Sequence, residues 1–580
     1  MSHPRVSLVK EPPPWTDRSG EATRHLCTGM YLDRGFRNKV IRQVHNDAHR
    51  TVAPSYGFDL VAVLQHAWRA WALETTQHVC VLSVFLIGYA SHPPATVTAL
   101  SAIGIWYLVL TMLRTAPTVL RLRTKKLIDR WMRRYDVSRE DLQLPAQTRM
   151  LRVSAVGCVL LLVLPVSAAG AANVPLRDTT IVAMSLLVLV AGVIAAVGIV
   201  RQLELSVLSK ATTFRSTKLT RRGESIARQQ CDPLVVYRRP EPKGESDEAL
   251  RLPDLDDVSG FFVGSGRLVH RWRPPLVVQL RRSRDGDGDD DAPREFAESP
   301  FKAHELVDHL RNAMKMIRRT TDPIRLPGPG VCDRVYVAET DMAAGRDESQ
   351  VKAGLKDLKR IINDPHCVAH HFLEVSVTSS GELVTTVFLR VTVKGRSLSL
   401  DFAACALTRT PMDYQLYDTF ARGGPRALLY SALRAVRDLP AEVAQMWRLS
   451  GTPLMLAGAV RARKGRSLFP YRRALVGTRL SVREEKSVSW HDSEFDHPTI
   501  FDQMKIVELR LLKATEEFLR SRGVDTSAFS KRAETIINAS VLNMGGRVDI
   551  NNSAVGPNAQ VNHGAAHGTA PGTSTEGAQR

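Results

Sequence analysis

Three stretches of this chain carry no charged side chain over the thickness of a bilayer: residues 95–113, 153–172 and 179–200. At 1.5 Å of rise per residue, each reaches roughly the 30 Å of a hydrocarbon core and reads as a transmembrane helix. Residues 70–90 make a fourth, interrupted by Glu74 and His78. Trp68 and Trp71 would mark the headgroup level there, and Glu74 would reach the interface. A re-entrant or buried helix is the competing reading of this stretch. Ser91-His92-Pro93-Pro94 closes a first hairpin and residues 173–178 a second, since proline ends one helix and restarts the next.

Charge orients the hairpins. The turn at 91–94 has no Lys or Arg and the turn at 173–178 only Arg177, whereas the loop at 114–152 has 11. Positive charge stays on the cytoplasmic side, so both termini are expected there, in the cytoplasmic (inner) membrane as a multi-pass protein. The opening MSHPRVSLVKEPPPW has no apolar h-region, so no cleavable signal is expected. Of the net +20, residues 231–580 hold only +5; the rest borders the apolar stretches. That placement fits anionic inner-leaflet lipids and argues against nucleic acid as a partner. The seven cysteines lie far apart without paired spacing and read as isolated thiols.

Transport proteins place ionisable groups within the bilayer, and Glu74 is the lone candidate, already explained by an interfacial position. Ala191 with Ala195, and Gly192 with Ala196, permit close helix approach, either inside the bundle or between copies of the chain. Pro165 would kink the third helix, with neighbouring helices satisfying the freed backbone groups. Residues 118–137 (TVLRLRTKKLIDRWMRRYDV) form a basic amphipathic pattern with two readings: a helix along the inner leaflet, or a continuation of the second helix.

Residues 1–26 are expected to be disordered and residues 27–68 to form a cytosolic helical segment, with Phe36, Val40, Val44 and Ala48 on one face. This segment contains Val52-Ala53-Pro54-Ser55-Tyr56-Gly57-Phe58-Asp59-Leu60. It resembles a segment that precedes the transmembrane helices of uncharacterised membrane proteins from streptomycetes and related actinobacteria. The resemblance covers some forty residues and implies membrane placement without a known activity. His45 and His49, four apart on this helix, could supply two metal ligands from one face, but no carboxylate or Cys cluster completes a site.

Residues 201–257 read as a juxtamembrane helix and linker, and 258–545 as a cytosolic α+β domain. Strands are expected at 268–272, 276–280 and 331–338, and helices at 299–317, 348–362, 425–447 with a break at Pro440, 501–522 and 527–543. From His370 the pattern alternates for almost forty residues with turns at Ser380-Gly381 and Lys394-Gly395, the mark of an antiparallel β-meander. The fold class expected is thus a four-helix transmembrane region joined to an α+β domain with that meander.

The chemistry is sparse. Asp285, Asp287 and Asp289 sit at positions one, three and five of an EF-hand-like loop, but Asp290 replaces its glycine and Phe296 its last glutamate. Gly264-Ser265-Gly266 and Gly423-Gly424-Pro425 read as turns. His370 and His371 point to opposite faces of a strand. His491, Asp492, Glu494, Asp496 and His497 in WHDSEFDHP are the best acid/base or metal candidates, with a helix-capping loop as the simpler reading. No phosphate-binding loop, nucleophile elbow or zinc-protease motif occurs. No catalytic, cofactor-binding or metal residue is therefore assigned, and the enzyme question stays open. The tail, residues 546–580, is Gly/Asn-rich and resembles short β-rich interaction elements on actinobacterial signalling and conflict-system proteins. The expected function is a membrane anchor for a cytosolic interaction or signalling domain, with a protein partner at the domain or tail. An enzyme with a divergent cytosolic site is the alternative, and a transporter or channel a more distant one.

Overall fold

The computed structural model describes residues 20–131, 144–172, 174–211, 214, 219–237, 262–283, 295–317, 326, 329–343, 358–379, 382–421, 423–465, 477–478, 480–489 and 495–542. The acidic loop at Asp285–Asp290, most of WHDSEFDHP, the first part of the 348–362 helix and the 546–580 tail lie outside them.

Helix α1 (Gly20–Leu32) starts inside the stretch expected to be disordered. Asp33 ends it and caps α2 (Arg34–Val40), its carboxylate accepting the Phe36 N–H at 2.9 Å. The chain then widens into a π-turn, Ile41–His45, and leaves the helix. Arg222 closes that end, donating to the carbonyls of Val44, His45 and Asp47 at 2.9, 3.1 and 3.2 Å. The regular helix expected to carry both His45 and His49 therefore stops at His45. The His45 ring packs edge-on against Trp68 at 5.1 Å, and burial pushes its pKa down to about 4.

Four helices are long and apolar enough to cross a membrane: α3 (Leu60–Ser91), α4 (Pro93–Trp131), α5 (Leu144–Ala171) and α6 (Leu176–Lys210). They support a transmembrane protein. Asp59 caps α3 by accepting the Val61 N–H at 3.0 Å, so the helix begins ten residues before the apolar run. Its first half is buried with α1 and α2 around Leu26, Met30, Phe36, Val63 and Ala67, and its large exposed apolar side chains begin at Val79. Helix α4 runs unbroken through Pro117 to Trp131, so the basic stretch continues the second apolar helix; Leu120 is exposed. Gly104 meets Leu161 and Gly157 meets Leu108, which packs α4 closely against α5. Within the chain Gly192 makes no close helix contact, since a Cβ there would meet nothing, whereas one on Gly198 would lie 2.8 Å from Ala435.

Beyond α7 (Arg221–Gln229), strand β1 (Leu234–Tyr237) falls in the stretch read as linker. It is followed by β2 (Arg267–Arg271), β3 (Leu276–Gln279), α8 (Ala303–Met316), β4 (Gly330–Ala338), α9 (Glu339–Ala343) and α10 (Leu358–Asn363). Strands β5 (His370–Ser379), β6 (Leu383–Lys394) and β7 (Ser397–Leu407) come next. These last three pair antiparallel in sequence, as Val375↔Val387 and Val387↔Ala404 show. They are the middle of a larger sheet rather than a separate meander, and that sheet is mixed. Its order is β1-β4-β5-β6-β7-β2, β1 runs parallel to β4, and β3 pairs with the other half of β7. Strand β1 can join because the long α8-containing connection brings β4 back alongside it.

Helices α11 (Met412–Ala421), α12 (Pro425–Arg437), α13 (Leu439–Ala444) and α14 (Thr452–Arg463) follow, then α15 (His497–Ser521) and α16 (Ser527–Leu542). The expected 425–447 helix is two helices, with Pro440 in the tolerated first turn of the second. The main core lies between one sheet face and α8, α15 and α16, around Leu306, Leu310, Leu373, Phe402, Val507 and Phe529. On the opposite face Phe262 stacks on Phe388 at 4.3 Å beside Tyr336 and Phe372. Aromatic pairs of this kind contribute about 0.5–1.5 kcal/mol beyond their burial.

Candidate functional site at the helix–domain junction

The N-terminal segment is fastened to the sheet by buried polar contacts. His25 Nδ1 lies 2.6 Å from Glu382 Oε1, which also accepts the Thr410 hydroxyl at 2.9 Å. Gly57 has φ +69°, and a Cβ there would lie 2.6 Å from Arg483 Nη1, so the fully buried Arg483 passes where only glycine leaves room and donates to the Tyr56 carbonyl. The Tyr-Gly-Phe-Asp stretch that carries the resemblance is therefore a connector: Tyr56 and Gly57 grip the C-terminal domain, and Asp59 starts α3. Gln230 clamps the same place from the other side of the apolar helices. Its carbonyl accepts Ser55 N–H at 3.3 Å, its side-chain oxygen accepts Leu60 N–H at 3.3 Å, and its amide donates to Asp59 at 3.4 Å.

Among the described residues, a cluster of paired, largely buried charges lies where α2, α3 and α13 meet, close to α6. Arg37, 3% exposed, pairs with Glu74 of α3. Arg34 Nε lies 3.3 Å from the other Glu74 oxygen, and its terminal nitrogens pair with Glu442 and Gln445 of the domain. Glu442 is also reached by Gln77 at 3.4 Å and by His78 Nε2 at 3.5 Å. Burial alone would raise the Glu442 pKa, but His78 and Arg34 outweigh it and hold the carboxyl below its ordinary value. Burial, with Arg34 and Arg201 nearby, lowers Arg37 to about 9, which still leaves it charged at neutral pH. The arrangement is thus a lock of fixed charges in which Arg34 holds one carboxylate of an apolar helix and one of the C-terminal domain. A cleft of about 630 Å³ opens beside it, lined by Asp33, Arg34, Asn38, Tyr414, Gln445 and Arg448.

The residues singled out in the sequence are dispersed. Glu74 is in the junction, paired with Arg34 and Arg37. His371 Nε2 lies 2.9 Å from Asp333, which also accepts from Arg311 at 2.8 Å. Asp496 pairs with Arg409 at 3.3 Å at the start of α15, and His497 packs edge-on against Phe501 at 5.9 Å. His491, Asp492 and Glu494 lie outside the described residues. Gly264 and Gly266 have φ of +99° and +93°, and a Cβ on Gly266 would strike the Ala406 carbonyl, so this turn is built by backbone approach; Glu484 accepts the Gly264 N–H at 2.9 Å. Gly424, φ +64°, is a turn before α12. Among the described residues no group of three or more His, Cys, Asp or Glu side chains could hold a metal ion. Sequence reasoning missed Glu442 and Gln230. Asp59 just before Leu60-Val61-Ala62-Val63 is the signal that would have marked the start of α3; Glu442 carries no such signal.

The model of one family, described as the AbeC-like domain, matches residues 273–551. That stretch begins in the turn after β2, so β1 and β2, which complete the sheet, lie before it. No curated protein and no solved structure matches the chain.

Proposed function

We propose that this protein is a multi-pass protein of the cytoplasmic membrane, with both termini inside, whose C-terminal domain serves interaction or signalling while docked on the membrane helices. The observation that carries this reading is the Arg34 lock. A domain used only as tethered cargo needs no charge-paired contact with a membrane helix, whereas one that answers to the membrane, or is positioned by it, does. Here Glu442 of the domain and Glu74 of α3 share one guanidinium. The concentration of Lys and Arg in the 114–152 loop supports the orientation. A protein partner would reach the domain or the 546–580 tail from the cytoplasm.

The test is protease digestion of a C-terminally tagged protein in membranes of known sidedness. The tag is expected to be lost from inside-out vesicles and kept in right-side-out cells. Loss of the tag from intact cells would overturn the orientation, and release of the protein by alkaline carbonate would overturn the integral membrane placement.

A further inference from the structure

We infer that helices α12 to α14 of the C-terminal domain are immersed in the inner leaflet, their apolar side chains among the acyl chains and their arginines at anionic headgroups. This rests on the membrane reading above and adds a lipid-binding surface within the domain itself.

Three observations place it there. The first is depth. Leu439, at the start of α13, is buried against Val81, Phe85, Ile103, Val190 and Ile194 of the apolar helices. Ile194 and Val190 lie seven and eleven residues from Arg201 toward the far end of α6, roughly 10 and 16 Å along the axis at 1.5 Å per residue. Helix α12 crosses α6 just before this level, the Ser431 hydroxyl donating to the Gly198 carbonyl at 3.0 Å. A domain resting on the membrane surface would stop near Arg201.

The second is the distribution of apolar surface. Among the described residues after Tyr237, seven of the fourteen exposed large apolar side chains lie on or between α12 and α14, and three more on α11. Leu429, Leu433 and Trp447 are 65%, 62% and 71% exposed. The patch continues the apolar flank of α3 and α6, so water on one and lipid on the other would meet along a packed contact. A concentration of exposed apolar side chains on an otherwise polar domain marks an interaction site.

The third is charge. Residues 425–464 hold seven Lys/Arg against two carboxylates. Their +5 equals the whole net charge of residues 231–580, so the rest of that region is neutral. Arg434 lies over the Tyr417 ring at 5.8 Å. Long basic side chains that extend from an apolar face toward headgroups are the pattern of a helix lying in the interface.

The experiment uses the full chain in phosphatidylglycerol-containing vesicles, with the five cysteines that are not buried replaced by serine. Nitroxide labels are placed singly at Leu433→Cys and Leu429→Cys, at Val163→Cys on α5 as the lipid reference, and at Lys394→Cys in the exposed β6–β7 turn as the water reference. Immersion predicts that oxygen relaxes the Leu433 and Leu429 labels more than a water-soluble nickel chelate does, as at Val163, with the reverse at Lys394. The inference is overturned if Leu433 and Leu429 behave like Lys394 while Val163 stays oxygen-accessible. Nickel access at Val163 would sink the membrane reading itself and the immersion with it. Equal immersion in purely zwitterionic vesicles would overturn the assignment of anionic headgroups.

Discussion

Tyr56 donates its hydroxyl to Glu374 across 2.9 Å, and both side chains are sealed from solvent, at 4% and 1% exposure. The contact ties the connector before the first apolar helix to the centre of the sheet. Arg334 Nε also reaches that carboxylate at 2.6 Å, and Cys332 at 3.2 Å. Although burial disfavours the charged guanidinium, Glu374 outweighs it and raises the Arg334 pKa. Tyr56→Phe keeps the ring and removes one donor to a buried charge, which costs about 1.5–3 kcal/mol. The expected result is a lower thermal unfolding midpoint in detergent; an unchanged midpoint would show that Arg334 and Cys332 satisfy Glu374 without the hydroxyl.

Glu74→Gln removes the carboxylate between Arg34 and Arg37. Breaking a buried ion pair from one side costs about 3–5 kcal/mol, because the remaining charge is stranded, whereas an apolar replacement of both partners is far milder. Glu74→Gln should therefore lower stability more than the double variant Arg37→Leu/Glu74→Leu does. If the double variant is the less stable of the two, the residues act independently and the lock is not a unit.

At Gly198 the backbone of α6 touches α12. A Cβ would sit 2.8 Å from Ala435 Cβ and 3.3 Å from the Ser431 carbonyl oxygen, and overpacking of this kind costs about 1–3 kcal/mol. Gly198→Leu should lift α12 from the apolar helices and expose the bonds after Arg434 and Arg437 to trypsin. Cleavage there no faster than in the unaltered protein would mean that the contact is not what holds the domain down.

Asp333 gives a pH signature. Burial would raise its pKa, but the hydrogen bonds from His371 and Arg311 prevail and lower it from 3.8. A carboxylate lowered in the folded state adds stability above its unfolded value, and the gain is lost as pH falls through the folded value. Asp333→Asn should therefore be less stable than the unaltered protein at neutral pH, with the gap closing below about pH 3.8. A gap of constant size across that range would assign the effect to packing.

Particular residues explain what was legible in the sequence and what was not. The apolar runs announced four helices, because a charge-free stretch of that length has one economical use. The true start of α3 stayed hidden since Glu74 and His78 look like interruptions, and only Arg34, Arg37 and Glu442, supplied from distant segments, make them tolerable inside a helix. Strand β1 is four residues long beside a Pro-rich stretch, too short for alternation to declare itself, and its pairing depends on β4 about a hundred residues later. The alternation from His370 to Leu407 was plain, but periodicity cannot count neighbours, so a mixed sheet read as a meander. The helix through His45 and His49 followed from spacing; Arg222 rewards leaving it. The junction was illegible because its members come from four elements, each with an ordinary local pattern.

The contacts of His25 and Tyr56 have a consequence for synthesis. Their partners, Glu382 and Glu374, come 357 and 318 residues later. At about 5–20 residues per second, translation takes tens of seconds to cover that distance. During that interval the hairpins reach lipid while the newly made amino-terminal helices stand without their sheet. The strands made after residue 370 are then the keystone, and a ribosome that stalls before them leaves the earliest part of the protein open to proteases and holdases.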